Sequence, residues 1–204
     1  MDDLKQILAH YLDVQHEALL WKLDGLSEYD LRRPLTSSGT NLLGLVKHVS
    51  GVEADYLGSV FGRPFPDPLP WMAEDAEANA DMWVTPQEST ASILDVFARV
   101  RAHGATTIAA LDLDAPGVVP WWGEHGQVTL GRILVHVATE VARHTGHADI
   151  VREQIDGAAG LRAGATNLPE DGNKPWWDDY TARVEAAAQE AAAQEAAAQE
   201  EAAQ

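Results

Sequence analysis

Three ionisable residues interrupt an apolar stripe in the C-terminal half of the chain. Between about residues 129 and 155, positions spaced by three and four are apolar at both ends of the segment. The middle positions of this series are Glu140, His144 and His147. A carboxylate on the buried face of a helix is strongly penalised unless a partner compensates its charge. The pattern therefore indicates a polar site inside the fold, and its residue types suit metal binding.

A further imidazole occupies a similar position in an earlier segment. His48 shares a helical face with Leu45 and Val52, so its side chain should point inward. Residues four apart are neighbours on a helix surface, so Glu140 and His144 can converge on one ion. A packed neighbouring helix would add His48 to them. Two imidazoles and one carboxylate form a zinc set of the catalytic kind, which leaves one coordination position open.

The spacing leaves other ligand sets and simpler explanations open. His136 with Glu140, and His144 with His147, are also chelating pairs. Glu140 and His147 lie about 10 Å apart along the helix axis, too far to grip one ion, so His147 is a candidate for orienting the ligands. An inward histidine can also be a hydrogen-bonded core residue, and a Glu–His pair can be a surface ion pair. The histidines expected to be ordinary surface or packing residues are His10, His16, His103 and His125.

Four amphipathic segments must position these side chains. The spacing of apolar residues predicts helices over about residues 3–23, 40–61, 85–113 and 129–155. The third is expected to begin at Thr85-Pro86, with Glu88 closing a capping box. Residues 62–84 are rich in proline and are expected to form a long surface loop. Since no strand of useful length is apparent, the sequence predicts an all-α four-helix bundle.

The C-terminal part of the chain differs in composition. Residues 181–204 consist largely of Glu-Ala-Ala-Ala-Gln repeats, which favour helix but offer no sustained apolar stripe. We therefore expect a metal-binding bundle over residues 1–180, followed by an Ala/Glu/Gln-rich helical tail. The tryptophans of the predicted loops either line a pocket or cap the end of the bundle, and these are Trp71, Trp121 and Trp122.

The overall composition excludes several classes of partner. The chain carries 32 acidic and 14 basic residues, a formal net charge of −18. Nucleic acid and anionic membranes would therefore be repelled. The chain has no cysteine, which excludes disulfides and thiolate ligands. No segment approaches the roughly 20 apolar residues of a membrane span, and the N-terminus does not resemble a signal peptide, so we expect a cytoplasmic protein.

The two site segments resemble those of the DinB-like superfamily. The matching stretches are residues 45–53 and 140–157, and the similarity extends over about residues 1–180. Within this superfamily, the chain resembles in particular a mostly actinobacterial branch and the metal-binding domain of mycothiol-dependent maleylpyruvate isomerases. It implies a four-helix bundle that holds a divalent metal through one side chain of the second helix and two of the fourth.

On that match the metal ligands are His48, Glu140 and His144, and His147 falls outside the triad. Zinc is the favoured ion, with nickel, manganese and iron as alternatives. Many members of the superfamily present three histidines, whereas the glutamate at the middle position here is similar to the mycothiol-using type. Such bundles commonly form homodimers, although the sequence alone does not isolate a surface for one.

The resemblance also implies chemistry with a low-molecular-weight thiol. Characterised relatives use mycothiol, bacillithiol or glutathione, and mycothiol is the thiol that this branch favours. The expected function is that of a metal-dependent thiol S-transferase, or a thiol-assisted isomerase, acting on a small electrophilic substrate. Two alternatives stay open. One is a metal-dependent hydrolase with Glu53 or Asp149 as base, and the other is a non-catalytic metal-binding module.

Overall fold

A computed structural model of the chain describes residues 3–166, 168–169 and 173–202. It contains two compact units, Met1–Thr166 and Asn167–Gln204. The α-helices and β-strands of the first unit are α1 (Leu4–Trp21), α2 (Glu28–Arg32), α3 (Leu42–Tyr56), α4 (Thr90–Ala110), β1 (Pro116–Val118), β2 (Gln127–Thr129) and α5 (Leu130–Asp156), and short 3-10 helices lie between them at Ser59–Phe61, Pro70–Met72 and Pro120–His125. The second unit contains α6 (Lys174–Ala202). The domain boundary expected at residue 180 stays a prediction.

The four long helices of the first unit surround one apolar core. Helix α1 packs against α5, and α3 packs against both α4 and α5. The predicted all-α bundle is thereby confirmed. Capping residues fix where α3 and α5 begin. Asn41 accepts a hydrogen bond from the Gly44 amide at 2.8 Å, and Thr129 accepts one from the Arg132 amide at 3.4 Å.

Two details of the predicted elements are wrong. The third long helix begins at Thr90 after the cap Ser89, and not at residue 85. Glu88 does accept a hydrogen bond from the Thr85 amide at 2.8 Å, but this contact closes a turn. The same carboxylate also pairs with buried Lys47 at 2.8 Å, and this tertiary contact holds it against α3.

A short antiparallel hairpin is the second unpredicted feature. Strands β1 and β2 pair with Gly117 opposite Val128, and residues 119–126 connect them. A Cβ at Gly117 would lie 2.7 Å from the Phe61 ring, so glycine allows this strand to approach the short 3-10 turn Ser59–Phe61 that follows α3. Strands of three residues carry too little alternation for a sequence pattern to reveal them.

The proline-rich segment predicted as a surface loop packs closely against α3. A Cβ at Gly44 would overlap the Met82 carbonyl, so glycine at this position permits the close approach of the two backbones. Asn41 donates to the same carbonyl at 3.2 Å, and Lys47 donates to the Trp83 carbonyl at 3.0 Å. Residues 81–83 are therefore fixed on the face of α3 that carries His48.

Helix α6 in the second unit is regular, as the repeat composition predicts. Its glutamines bond to the glutamates four residues earlier, for example Gln189 to Glu185 at 2.8 Å. The side chains of Trp176 and Tyr180 stack with ring centroids 5.3 Å apart. Among the described helices of both units, none is long and apolar enough to cross a membrane.

Candidate metal centre

The structure brings His48, Glu140 and His144 together where α3 packs against α5. Each offers one ligand atom, and the three atoms lie within 4.8 Å of one another. Oε1 of Glu140 is 3.0 Å from Nε2 of His144 and 3.8 Å from Nε2 of His48. The two imidazole rings are 4.6 Å apart between centroids. The predicted residues thus share one site, and their metal binding stays a prediction.

Helix periodicity explains how α5 presents two of these residues. Fully buried Val137, Val141 and Ala148 anchor one face of α5 in the core. Glu140 and His144 lie beside this face, one turn apart, with Glu140 half-buried and His144 buried. The carboxylate therefore reaches the edge of the bundle, where solvent and small molecules have access.

Asp81 orients the ring of His48, the candidate ligand on α3. Its Oδ2 lies 2.6 Å from Nδ1 of His48, which makes Nδ1–H the donor and leaves Nε2 free on the side of Glu140. Outer carboxylates of this kind fix the tautomer and ring orientation of metal-binding histidines. The sequence gives no sign of this residue, because it lies 33 positions from His48 in a segment without periodicity.

The electrostatics of the cluster favour the ligand forms. Burial, with the neighbouring His48 second, lowers the pKa of His144, so its imidazole is neutral near pH 7. Burial alone would raise the pKa of Glu140, but the hydrogen bond from His144 and the charges of His144 and His48 outweigh it and lower the pKa. The pKa directions therefore favour a neutral imidazole at His144 and a carboxylate at Glu140.

These donors fit a divalent metal. Among the described residues, no lysine or arginine pairs with Glu140, so no cation of the chain already neutralises the carboxylate. The Nδ1 atom of His144 is buried without a hydrogen-bond partner in the described part of the chain. One carboxylate and two imidazoles within 4.8 Å match the set that zinc accepts while keeping an open position.

His147 does not occupy the buried position that the sequence predicts. Its side chain is exposed, although its ring centroid lies 5.3 Å from that of His144. Its predicted place on the core face is therefore wrong, and an orienting role for it stays a prediction. His136 is half-buried and packs against the ring of Tyr56 at 4.6 Å, outside the ligand cluster.

The other candidate bases are engaged elsewhere. Glu53 is buried and hydrogen-bonded to His16, which is itself buried and not a surface residue. Asp149 forms an ion pair with buried Lys22. Neither carboxylate belongs to the cluster of His48.

A cleft of about 460 Å³ adjoins the ligand cluster. Its walls include Glu140 together with Val52, Asp55, Tyr56, Met72, Trp121 and His136. Of the loop tryptophans, Trp121 lines this cleft, whereas Trp71 lines a separate pocket and packs over Lys47, whose Nζ lies 4.8 Å from its ring centroid. Because Glu140 forms part of the wall, a molecule in the cleft would lie next to the proposed ligands.

Comparison with known proteins agrees with this geometry. The family model described as mycothiol-S-transferase matches residues 7–157, which include all three candidate ligands and most of the first unit. No curated protein matches the chain. Since the match covers well over half of the sequence, the chain belongs to the mycothiol S-transferase family, within the DinB-like superfamily.

Proposed function

We propose that this protein joins mycothiol, through its thiol sulfur, to a small electrophile, using a divalent metal held by His48, Glu140 and His144. The observation that carries the proposal is the convergence of three ligand atoms within 4.8 Å at the wall of a cleft. Membership of the mycothiol S-transferase family suggests the thiol. Zinc is the ion that the two imidazoles and one carboxylate favour.

The metal would supply one element of the chemistry. When bound, a divalent ion provides the positive charge that favours the deprotonated, nucleophilic form of a coordinating thiol. The residues of the chain supply the geometry. Asp81 holds the ring of His48 by the 2.6 Å hydrogen bond, and the fixed loop behind it limits movement of that ring.

The cleft would bring the second substrate to the sulfur atom. Val52, Met72 and Trp121 give its walls an apolar character, and Glu140 places one end of it at the ligand cluster. Binding two reactants side by side replaces a bimolecular encounter by a step within one complex.

The hydrolase alternative has less support. The two carboxylates that the sequence offered as its base, Glu53 and Asp149, are paired with His16 and Lys22. A non-catalytic metal-binding module does not account for an adjoining cleft of about 460 Å³. A thiol-assisted isomerase would use the same ligands and the same thiol, and differs only in the fate of the adduct.

Calorimetry and turnover together test the proposal. Zinc-loaded protein should bind mycothiol saturably and conjugate it to a fluorogenic bimane electrophile. Glu140→Gln should lose both properties, because an amide is a poor substitute for the anionic ligand. The exposed histidine variant His125→Ala is the matched control and should behave as wild type. Absence of mycothiol binding by the zinc-loaded wild type, or turnover that ignores the thiol, would refute the assignment.

A further inference from the structure

The Tyr56 hydroxyl accepts two hydrogen bonds and can still donate one. Its oxygen accepts the indole N–H of Trp121 at 3.1 Å and that of Trp122 at 3.2 Å. A phenol has two acceptor positions and one hydrogen, so the two indoles occupy both acceptor positions. Among the described residues, none accepts the remaining hydrogen. Since Tyr56 lines the cleft, its O–H is a donor available to a bound molecule.

Packing fixes the position of this donor. The indole of Trp121 meets the Tyr56 ring edge to face at 5.4 Å between centroids, and His136 packs against the same ring at 4.6 Å. The ring centroids of Trp122 and His136 lie 4.9 Å apart, so the rings of Tyr56, Trp121, Trp122 and His136 form one packed cluster. The two hydrogen bonds that the oxygen receives also polarise the hydroxyl, which strengthens it as a donor.

The charges around the cleft disfavour anionic substrates. Asp55 and Glu140 line the cleft, and Asp81 lies behind His48. A divalent ion leaves these three carboxylates with one net negative charge, and a bound thiolate adds another. Arg132 packs over the Trp122 ring and is not part of the cleft wall. A second anion would therefore be repelled at this site.

The rim of the cleft favours a flat apolar group. Trp121 and Met72 line the cleft and are 53% and 39% exposed, so each leaves a substantial apolar surface uncovered. Aromatic and thioether side chains of this kind pack well against rings. The donor of Tyr56 lies in the same cleft and would bind an oxygen atom of the same molecule.

We infer that the electrophile is an uncharged α,β-unsaturated ketone or aldehyde that carries a ring, and that its oxygen accepts the hydrogen bond of Tyr56. This inference rests on the proposed function. The thiolate sulfur would form a bond to the β-carbon while the π bond between the α- and β-carbons breaks. Its electron pair moves toward the carbonyl oxygen, and the α-carbon then takes up one proton in place of the proton that the thiol released. No group leaves and no oxidant is needed. Tyr56 would stabilise the charge that develops on oxygen.

Binding of unreactive probes tests this inference without thiol chemistry. The probes are 4-phenylbutan-2-one, which has the ring and the oxygen, butylbenzene, which lacks the oxygen, and 4-(3-oxobutyl)benzoate, which adds a carboxylate. Calorimetry on the metal-free protein, in which no open coordination position can bind the carboxylate, should show the neutral ketone binding at least about ten-fold more tightly than the benzoate. Tyr56→Phe should weaken ketone binding by roughly five- to ten-fold and leave butylbenzene binding within about two-fold.

A second variant separates charge from hydrogen bonding. Asp55→Asn should improve binding of the benzoate by roughly three-fold or more while leaving the neutral ketone unchanged. Equal losses for ketone and butylbenzene in Tyr56→Phe would overturn the donor role. Benzoate binding as tight as that of the ketone, or no ketone binding by the wild type, would overturn the substrate class.

The same measurements distinguish this inference from the proposed function. If the ketone shows the expected pattern but mycothiol does not bind, the cleft assignment stands and the S-transferase proposal fails. If mycothiol binds and is conjugated to the bimane while the ketone pattern is absent, the S-transferase proposal stands and the substrate class is wrong.

Discussion

Two clusters of histidine and carboxylate in the bundle differ in how far their side chains are exposed to a bound molecule. One joins His48, Glu140 and His144 between α3 and α5, and the other joins His16 of α1 to Glu53 of α3. In the second cluster both side chains are almost completely buried, at 2% and 1% exposure. The first lies at the wall of a cleft, and the carboxylate of Glu140 is 29% exposed.

The difference shows that residue type alone does not make a metal site. Nε2 of His16 is committed to the Glu53 carboxylate, and the His16 ring packs edge to face on Phe97 at 5.6 Å. This pair ties α1 to α3. In the other cluster three donor atoms face one another and a cleft gives access to them. His16 and Glu53 also line a smaller cavity of about 160 Å³. The convergence of a third ligand atom, and not access alone, therefore distinguishes the candidate binding site from a structural contact.

Removing a ligand should give the largest effect. His144→Ala should lower zinc affinity by far more than the roughly 100-fold that loss of an outer orienting residue can cause, because a direct ligand is deleted. Elemental analysis after dialysis against a chelator measures the retained metal. The control is His16→Gln, which changes the buried pair of His16 and Glu53 and should retain zinc. Loss of zinc from both variants would contradict the contrast between the clusters.

The effects on stability should follow the opposite order, with a larger loss from a change in the pair of His16 and Glu53 than from a change at the candidate metal site. Glu53→Ala breaks a buried pair and should reduce the free energy of unfolding of the metal-free protein by about 3–5 kcal/mol. Glu140→Ala should cost less than about 1 kcal/mol in the same metal-free protein, because its carboxylate is partly solvated. Urea titrations of the two variants provide the comparison. A larger loss for Glu140→Ala would reverse our assignment of structural and binding roles.

The sequence brings out the three candidate ligands because they lie on regular helices. Glu140 and His144 are four apart on α5, and His48 shares a face with buried Leu45, so a period of 3.6 relates each to the core. The same reasoning fails for His147. The buried stripe of α5 runs through Val141 and Ala148, and a stripe shifted by one position fits the apolar residues almost as well.

Other parts of the site depend on tertiary contacts that no local pattern encodes. Asp81 bonds to His48 because Gly44 lets a distant segment approach α3 closely. Glu88 satisfies the capping-box pattern, yet its contact with Lys47 belongs to the packing of that segment and the helix begins later. Tyr56 gains its two indole partners from a hairpin too short to show alternation.

Substitution of Asp81 should have an intermediate effect on zinc affinity, because it removes a residue that orients a candidate ligand and leaves the ligand itself in place. Asp81→Asn keeps the shape of the side chain but weakens the acceptor for Nδ1–H of His48, so zinc affinity should fall by about 10- to 100-fold. Competition with a chelating dye measures the affinity. The exposed acidic residue Asp75 of the same segment provides the control, and Asp75→Asn should leave the affinity unchanged. Equal affinities for the two variants would exclude an orienting role for Asp81.

The smallest effect is a pH dependence of the metal-free protein. Burial, with the charge of His48 second, lowers the pKa of His144 in the folded state, whereas the unfolded chain has the ordinary value of about 6.5. On acidification the unfolded state therefore takes up the proton first. The free energy of unfolding should fall from the unfolded-state pKa down to the folded-state pKa, and no further below it.

His144→Gln tests this linkage, because it keeps a polar side chain but has no imidazole to protonate. Urea titrations of the two metal-free proteins at about pH 7.5, 6.5 and 5.5 should show a smaller loss of stability for the variant. Carboxylates such as Glu140, whose pKa is lowered, contribute only below this range, since their unfolded-state values lie near 4.5. If the free energy of unfolding falls equally with pH in both proteins, burial does not keep His144 neutral. Metal binding itself would then have to deprotonate His144, the most buried of the three candidate ligands.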